Sequence, residues 1–246
     1  MDNQKIDILI PVFNEGKSAI KTISLLDQAI KTPHKIHICF DSFTDPTYEA
    51  LKKSEFSNSL NFIKNPGSGP CEAIKAGFNE TNGDCVIVYP ADDLENHKII
   101  DAMYASFLSG NDVVVASRFM KGGSMNGCPL IKSILVRLAS STLYLLSSIP
   151  VKDASNGFRL FSRKSLDTIN IESTEGFTYS LEILVKVNRL GWSIGEVPSN
   201  WFERAEGKSN FKIFKWLDKY LKWYFYGLAT SWLGRKVTHK CIKKTL

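Results

Sequence analysis

The sequence predicts an α/β protein built on a doubly wound, mostly parallel sheet. Short apolar runs rich in β-branched residues alternate along the chain with segments whose apolar residues recur every three or four positions. Polar residues follow directly after most of these runs, which is typical of an open sheet that binds its ligand at the carboxyl ends of the strands. With 246 residues, 43% apolar and 23% charged, the chain has an ordinary globular composition and length enough for a sizeable core.

The most informative run is Cys-Val-Ile-Val-Tyr at residues 85–89, which predicts a strand buried on both faces. It stops at Pro90 and is followed by Ala91, Asp92 and Asp93. Two carboxylates at the end of a buried strand suit a divalent cation held against a phosphate. The alternative is a surface turn whose acidic residues cap the next helix.

The strands that precede this run follow the same plan. A first strand at residues 6–12 leads into Phe13 and Glu15, and a second at residues 36–40 runs into Asp41. The helix predicted between them has one apolar stripe, as expected for a helix that packs on a sheet. The stripe consists of Ile20, Ile23, Leu26 and Ile30.

A glycine-rich loop follows the third strand. After a short helix at residues 47–53, the strand at residues 60–63 leads to the loop at residues 65–69, and a helix begins at Pro70 or Cys71 because proline suits a first helical turn. Backbone amides at such a helix start suit a phosphate. The Lys-Ser or Lys-Thr pair of a Walker motif does not follow, so a plain loop is the alternative.

Arg118 completes the pattern at the strand ends. It follows a fifth strand at residues 112–117, after a helix near residues 98–108. We therefore expect acidic residues and one basic residue to lie at one edge of the sheet. This pattern predicts a cleft that binds a cation and a phosphorylated ligand. These positions are Glu15, Asp41, Asp92 with Asp93, and Arg118.

The second half of the chain is less regular. Residues 121–127 predict a flexible loop, a candidate lid over the cleft. Residues 130–148 are apolar nearly all round but too polar to span a bilayer, so this segment is either buried or lies on a membrane. Residues 153–161 predict a turn leading into a short strand. The helix at residues 177–190 carries Glu182 among apolar residues, where it is either functional or at the helix surface.

The charge of the chain is uneven. The net charge is +6, but residues 204–246 carry 11 Lys or Arg against two acids. The last predicted helix, residues 210–233, has a lysine stripe edged with tryptophan. This is typical of a helix in a membrane interface, and a helix packed on the domain with a solvated basic face is the alternative. We therefore predict a domain at residues 1–210 and a basic amphipathic tail at residues 211–246. The stripe consists of Lys212, Lys215, Lys219 and Lys222, flanked by Trp216 and Trp223.

The remaining sequence features concern the compartment. None of the five cysteines stands in a Cys-x-x-Cys motif, which favours reduced core thiols and a reducing compartment. No signal peptide is expected from the N-terminal residues. His34 and His37 are interpreted as surface residues at a strand edge, and no nucleic-acid motif accompanies the basic tail. We therefore expect a cytoplasmic protein, peripheral at the cytoplasmic face of a membrane.

Taken together, these motifs resemble those of family 2 glycosyltransferases of the GT-A fold, the nucleotide-diphospho-sugar transferase fold, and in particular the dolichyl- or polyprenyl-phosphate hexosyltransferase branch. The resemblance covers about residues 5–230. Each motif alone is weak, but their common order is specific. The motifs are residues 11–15, Asp41, residues 91–93, residues 116–118 with Gly122 and Gly123, residues 156–159, residues 177–182, and residues 196–198 leading to Arg204, Gly207 and Ser209.

The resemblance implies an inverting enzyme that moves a hexose from a GDP- or UDP-sugar to a polyprenyl phosphate. It implies Mg²⁺ or Mn²⁺ bound by Asp92 and Asp93, a catalytic Arg118 facing the donor or acceptor phosphate, and a catalytic Glu182 touching the sugar hydroxyls. The resemblance also implies a catalytic role for Asp92. The nucleotide-sugar-binding residues implied are Pro11, Phe13, Glu15, Asp41, Ala91, Asp92 and Arg118. The phosphate- or acceptor-binding residues implied are Arg159, Arg204, Lys208 and Ser209.

The chain departs from the family pattern at a few positions. Pro90 replaces the first aspartate of the Asp-x-Asp element, Leu94 stands where Gln or Ser is frequent, and Asn210 replaces a lysine for which Lys208 could substitute. Two alternatives stay open. One is a family 2 transferase acting on a saccharide acceptor in surface polysaccharide synthesis, which would need a general base that an ionised phosphate acceptor does not need. The other is an inactive sugar-nucleotide-binding protein.

Overall fold

The computed structural model describes residues 5–202, 213–232 and 242–243, and its centre is a seven-stranded sheet. The strand order is β3-β2-β1-β4-β7-β5-β8. The strands of this sheet are β1 Ile6–Val12, β2 His34–Phe40, β3 Leu60–Lys64, β4 Cys85–Val88, β5 Val113–Ser117, β7 Arg159–Ser162 and β8 Ile194–Pro198. A separate ribbon pairs β6 Ser124–Asn126 in parallel with β9 Asn200–Phe202.

Helices connect most of the strands. Local sequence explains where some of them begin: Asp45 caps α2 by accepting from the Thr47 amide at 2.7 Å, and α3 starts after Gly69, whose φ of +84° costs glycine little. The α-helices in the described residues are α1 Ser18–Ala29, α2 Pro46–Lys52, α3 Pro70–Glu80, α4 Ile100–Leu108, α5 Leu130–Leu146, α6 Arg163–Thr168, α7 Thr178–Arg189 and α8 Ile213–Trp232, with short 3₁₀ helices at Glu55–Asn58 and Asn96–Ile99.

The sheet is parallel except for one strand. β1 pairs in parallel with β2 and β4, with Val12 opposite Phe40 and Leu9 opposite Val88. β7 runs antiparallel between β4 and β5, so that Arg159 at its start lies opposite β4 on one side and β5 on the other. The predicted mostly parallel sheet is confirmed. The carboxyl ends of β1, β2, β4 and β5 therefore share one edge with the amino end of β7.

Each face of the sheet packs against its own apolar core. Ile8 and Ile10 of β1 belong to the core that contains α1 and α4, whereas Leu9 belongs to the core that contains α3 and α7. Burial on both faces explains why the strand sequences are continuously apolar. The helix α3 approaches the sheet closely, since a Cβ on Gly77 would lie 2.6 Å from the Leu9 side chain.

The loop predicted as a flexible lid is held in place by backbone pairing. Residues 121–127 include β6, whose Ser124 and Asn126 lie opposite Asn200 and Phe202 of β9. The Ser124 amide also donates to the carbonyl of Ser199 at 3.0 Å. The segment is therefore anchored at its centre to a strand far along the chain.

The interpretation of His37 as a surface residue is wrong. The side chain is buried, with Nε2 2.7 Å from Asp7 Oδ1 and Nδ1 3.0 Å from Asn61 Nδ2. Asp7 also accepts from the Gly83 amide at 2.7 Å. The reason is the strand order: β3 covers β2, so β2 is an inner strand.

The long apolar segment after β6 is an exposed helix. On α5, Ser140 and Leu143 are buried, and several apolar side chains are more than half exposed. The alternative that this segment is buried is therefore wrong. Within the described residues, no helix is long and apolar enough to cross a membrane. The side chains more than half exposed are Leu130, Ile131, Ile134, Leu135, Leu138 and Leu145.

The C-terminal helix is present and packs on the domain. Trp223 of α8 is 3% exposed, lies in the same core as α7, and donates from Nε1 to Ser173 Oγ at 3.0 Å. Its predicted place at the edge of an exposed lysine stripe is therefore wrong, although Lys219 and Lys222 are exposed. The boundary between a domain and a tail near residue 210 stays a prediction. The stripe positions outside the described residues and side chains are Lys212, Lys215 and Trp216.

Candidate functional site

Four loops leave the sheet at its carboxyl edge. They follow β1, β2, β4 and β5, and carry Glu15, Asp41, Asp92 and Arg118, respectively. Parallel pairing puts the ends of these strands on one side of the molecule. The predicted convergence of the strand ends is therefore present, while the ligands of the individual residues stay predictions.

The loop after β1 is fixed by its backbone. The Thr47 hydroxyl accepts from the amides of Glu15 and Gly16 at 2.8 and 3.0 Å. Gly16 has φ of +58°, a conformation that glycine adopts without strain. The loop continues from the half-buried Pro11 and leaves the Phe13 ring 55% exposed. An exposed aromatic ring beside carboxylates is a surface on which a nucleobase can stack.

The glycine-rich loop after β3 holds Asp41. Asn65 Nδ2 donates to Asp41 Oδ1 at 2.6 Å, and the Gly69 amide donates to Oδ2 at 2.8 Å. Asn65 also accepts from the Gly67 amide at 2.9 Å, which closes the loop on itself. The Gly69 amide already donates to the Asp41 carboxylate. The structure therefore supports the interpretation that this loop orients Asp41, rather than the interpretation that it binds a phosphate by itself.

Asp92 and Asp93 have different environments. Asp92 is exposed, whereas Asp93 Oδ1 accepts from the amides of Glu95 and Asn96 at 2.9 Å each, and its Oδ2 accepts from Asn96 Nδ2 at 2.6 Å. Burial raises the pKa of Asp93 despite these hydrogen bonds. The Asp93 carboxylate is held in the loop by these three hydrogen bonds, and its role as a second metal ligand stays a prediction.

The site fits a metal that is bound together with a nucleotide. No group of three or more His, Cys, Asp or Glu side chains in the described residues is arranged to hold a metal by itself. Magnesium in nucleotide sites is usually held by one or two carboxylates together with phosphate oxygens and water. The exposed Asp92 at a strand end suits the single protein carboxylate of such a site, with the diphosphate supplying further oxygens.

Arg118 is paired within the protein. Its Nε and Nη2 donate to the two carboxylate oxygens of Asp153 at 2.6 and 2.9 Å, and Nη2 also donates to Ser155 Oγ at 2.6 Å. Burial alone would raise the pKa of Asp153, but the hydrogen bonds and charge of Arg118 outweigh it and hold the pKa below its ordinary value. The sequence analysis missed Asp153, because an Asp-x-Ser turn is too common to single out.

The predicted phosphate-binding role of Arg159 is contradicted. The side chain is fully buried, and its guanidinium donates to the carbonyl oxygens of Ser180 and Ala154. Burial lowers the pKa of Arg159 to about 10, so the group stays charged at neutral pH. Arg159 links β7 to α7 and to the preceding turn. The other predicted phosphate-binding residues, Arg204, Lys208 and Ser209, lie outside the described residues.

Glu182 also lies inside the protein. It is fully buried, and its carboxylate accepts from the amides of Glu172 and Ser173 at 2.7 and 2.8 Å. The Lys186 Nζ lies 2.6 Å from its Oε1. These contacts contradict the predicted contact with sugar hydroxyls and explain the buried charge by pairing.

The mostly parallel sheet with its flanking helices is that of the GT-A fold. The same fold is found in the crystal structure of glucosyl-3-phosphoglycerate synthase from Mycobacterium tuberculosis in complex with UDP, with a TM-score of 0.67, 16% identity and coverage of 92% of this chain and 80% of that chain. A structure of the same enzyme with Mn²⁺, UDP and phosphoglyceric acid has a TM-score of 0.65 at 16% identity, covering 93% of this chain and 78% of that chain.

Sequence comparison identifies the family. The model of glycosyl transferase family 2 matches residues 7–169, and the chain belongs to this family. It is 25% identical over 229 residues to a dolichol-phosphate mannosyltransferase of Pyrococcus furiosus, covering 89% of this chain and 64% of the length of that protein. It is 23% identical over 233 residues to a polyprenol monophosphomannose synthase of Mycolicibacterium smegmatis, covering 87% of each.

Proposed function

We propose that this protein is an inverting glycosyltransferase that moves a hexose from a GDP- or UDP-sugar to a polyprenyl phosphate. The proposal is supported mainly by the strand order, which brings the carboxyl ends of β2, β4 and β5, followed by Asp41, Asp92 and Arg118, to one edge of a family 2 fold. The similarity to two polyprenol-linked mannosyltransferases along most of the chain supports the lipid acceptor.

The donor lies across the loops after β1, β2 and β4. In this proposal Pro11, Phe13, Glu15 and Asp41 bind the nucleoside, and the loop at Ala91 approaches the diphosphate. This assignment is supported by the exposed Phe13 ring and the fixed carboxylate of Asp41. Asp92 would hold Mg²⁺ or Mn²⁺, which when bound neutralises charge on the leaving diphosphate.

Transfer to a phosphate needs positioning more than proton transfer. The acceptor phosphate is ionised near neutral pH, so no side chain has to remove a proton from it. One acceptor oxygen forms a bond to the anomeric carbon while the bond from that carbon to the diphosphate oxygen breaks, and the nucleoside diphosphate leaves. Arg118, oriented by Asp153, stabilises phosphate charge at the edge.

An apolar surface on α5 and α8 suits a membrane that carries the acceptor. The two helices lie side by side, since Thr142 Oγ1 is 2.7 Å from Tyr224 Oη and Trp232 Nε1 donates to Leu146 O at 2.6 Å. Exposed apolar helices edged with lysine bind the interface of anionic membranes. We call this surface the α5–α8 face. It consists of Leu130, Ile131, Ile134, Leu135, Leu138 and Leu145 of α5 with Leu217, Leu221, Phe225 and Trp232 of α8.

We propose the cytoplasmic side of that membrane. The buried cysteines Cys39, Cys71 and Cys85 are free thiols. Burial raises the pKa of Cys39 and of Cys71 to about 12, so these thiols stay protonated and unreactive. Buried free thiols are typical of proteins that work in a reducing compartment.

The test is a transfer assay with matched acceptors. Purified protein is incubated with a panel of GDP- and UDP-hexoses and Mn²⁺, together with vesicles containing polyprenyl phosphate, polyprenol or no lipid acceptor, or with a soluble oligosaccharide in place of the vesicles. We expect release of nucleoside diphosphate and a glycosylated lipid phosphate only with the phosphorylated lipid. Extension of a saccharide instead would support the polysaccharide alternative, and nucleotide binding without turnover on any acceptor would support an inactive binding protein.

A further inference from the structure

The loop that carries Asp92 is pinned on both sides of that residue. Thr22 Oγ1 donates to the Ala91 carbonyl at 2.8 Å, and the Tyr89 hydroxyl donates to the Asp93 carbonyl at 2.9 Å. The Asp93 side chain then binds the amide and the side chain of Asn96, as described above. The position of Asp92 therefore depends on contacts made by its neighbours.

Asn96 extends this arrangement to a strand 104 residues away in sequence. Its Nδ2 donates to the carbonyl of Asn200 at 2.7 Å, and its Oδ1 accepts from the amide of Asn200 at 2.9 Å. Asn96 is 5% exposed, so water does not compete well for these hydrogen bonds. One side chain thus pairs with both backbone groups of a strand residue while it also binds Asp93.

The strand that Asn96 holds contacts both β6 and the end of β5 that precedes Arg118. Asn200 begins β9, and its Oδ1 accepts from Ser124 Oγ of β6 at 2.7 Å. β6 is followed along the chain by α5, part of the α5–α8 face. The Ser199 amide donates to the carbonyl of Ser117, the residue before Arg118, at 3.0 Å. The β6–β9 ribbon therefore touches both the Arg118 strand and the segment that enters α5.

We propose that Asn96 is a positioning residue that fixes the distance between the donor loop at Asp92 and the β6–β9 ribbon. This inference rests on the proposed function. The spacing of donor and acceptor determines the rate of a bimolecular transfer, and a displacement of about 1 Å can cost roughly 100-fold. Asn96 touches neither substrate and acts through Asp93 and Asn200.

The first test separates transfer to lipid from hydrolysis of the donor. In Asn96→Ala, we expect hexose transfer to polyprenyl phosphate to fall roughly 10- to 100-fold. Hydrolysis of the sugar nucleotide by water without acceptor, and the Mn²⁺-dependent affinity for UDP or GDP, should change less than about threefold, because Thr22, Tyr89 and the backbone amide of residue 96 still hold the Asp92 loop. Equal loss of transfer and hydrolysis, or no loss of either, would overturn the inference.

Two further variants control for folding. Asn111→Ala removes a half-buried amide that donates to Ser106 O and Oγ at 3.0 and 3.1 Å, at the amino end of β5, and should leave both rates unchanged. Asn96→Asp has the native size and still accepts from the Asn200 amide, but it loses the donor and faces Asp93 with a like charge. It should show the same selective loss of transfer while keeping a native circular dichroism spectrum.

Hydrogen exchange supplies a readout that does not depend on turnover. In the wild type, UDP or GDP with Mn²⁺ should slow amide exchange in Ser124–Asn126 and Asn200–Phe202, and in Asn96→Ala this slowing should be lost. If the wild type transfers sugar to no lipid phosphate, the proposed function fails, and the exchange result alone then decides the connection through Asn96. Slowing that is absent in the wild type, or retained in Asn96→Ala, contradicts that connection.

Discussion

Lys186 explains the buried charges of α7. Its Nζ is 2.6 Å from Glu182 Oε1 and 3.0 Å from Glu172 Oε1, and it donates to Asn170 O at 2.6 Å. The indole of Trp223 lies 4.9 Å from the same ammonium. A buried ammonium is costly unless it is paired. Glu182 is therefore the counter-ion that lets α7 hold both α8 and the segment preceding α7.

Removing the Glu182 charge should lower the stability of the fold. It should have a smaller effect on the affinity for nucleotide. Glu182→Gln leaves Lys186 with Glu172 as its remaining carboxylate, and we expect a loss of about 3 kcal/mol in the free energy of unfolding measured in urea. Glu80→Gln, at an exposed position of α3, should change it by less than about 0.5 kcal/mol. A Glu182→Gln protein of native stability that fails to turn over would restore the sugar-contact role.

Asp92 should control metal-dependent nucleotide binding. We expect Asp92→Asn to abolish the rise in melting temperature that UDP or GDP produces with Mn²⁺ and to reduce turnover more than about 100-fold, because the exposed carboxylate proposed to bind the metal is lost. Glu95→Gln changes an exposed carboxylate in the same loop and should leave both measurements near wild type. Equal effects of the two variants would argue against a ligand role for Asp92.

The helix α5 behaves differently from the helices that cover the sheet. It buries Ser140 and Leu143 and presents its larger apolar residues to the outside. A contiguous apolar surface of this kind usually marks an interaction site. Arg137 and Lys132 lie against the rings of Phe119 and Trp201, which places cations beside the apolar residues. This combination favours contact with anionic lipid headgroups.

Membrane binding should depend on the apolar residues of α5. We expect the triple change Ile131→Ser, Leu135→Ser and Leu138→Ser to weaken partitioning onto anionic vesicles at least about tenfold, since each side chain loses apolar area that the membrane would bury. Sedimentation with vesicles measures this. Leu108→Ser, at an exposed position of α4, is the control and should bind as the wild type does. Unchanged binding of the triple variant would exclude α5 as the contact.

Across the whole domain, Asp7 joins chain segments at the end of the sheet opposite the site. It lies on β1, contacts His37 of β2, and accepts from the amides of Asn82 and Gly83 before β4. Burial alone would raise the pKa of Asp7, but the hydrogen bonds of His37 and Gly83 and the charges of His37 and Arg163 hold it below its ordinary value of 3.8. The carboxylate therefore stabilises the folded state while it is ionised.

The depressed pKa of Asp7 predicts how the free energy of unfolding decreases at acid pH. Because the folded pKa is depressed, the contribution of Asp7 is fully present above pH 5 and is lost as pH falls below about 4. Asp7→Asn should cost about 2 kcal/mol at pH 7, and the gap to wild type should narrow toward pH 2. Urea unfolding across this range measures it. Asp84→Asn, whose partner Lys5 is 3.6 Å away and exposed, should show almost no gap at any pH.

Sequence reasoning worked where the signal is local and failed where it depends on distant partners. The strands and the acidic positions after them are readable because burial on both faces requires continuous apolar runs, as in Ile6–Val12. Residue type alone does not separate the exposed Asp92 from Arg159 and Glu182, whose partners are carbonyls and a lysine brought close by packing. Likewise, nothing in the four residues of β7 indicates that this strand runs antiparallel to its neighbours.

That insertion has a consequence for how acceptor choice can change. β5 and β7 are antiparallel neighbours, with Val115 opposite Arg159. The chain therefore leaves the sheet at the end of β5 and re-enters it at the start of β7, directly beside β5. The intervening excursion, which includes β6 and α5, is anchored at both ends like a long hairpin connection. The segment between β5 and β7 could be replaced by the corresponding segment of another transferase without changing the order of the strands in the sheet. If the segment between β5 and β7 selects the acceptor, a chimaera of this kind should keep the donor preference of one parent and take the acceptor preference of the other.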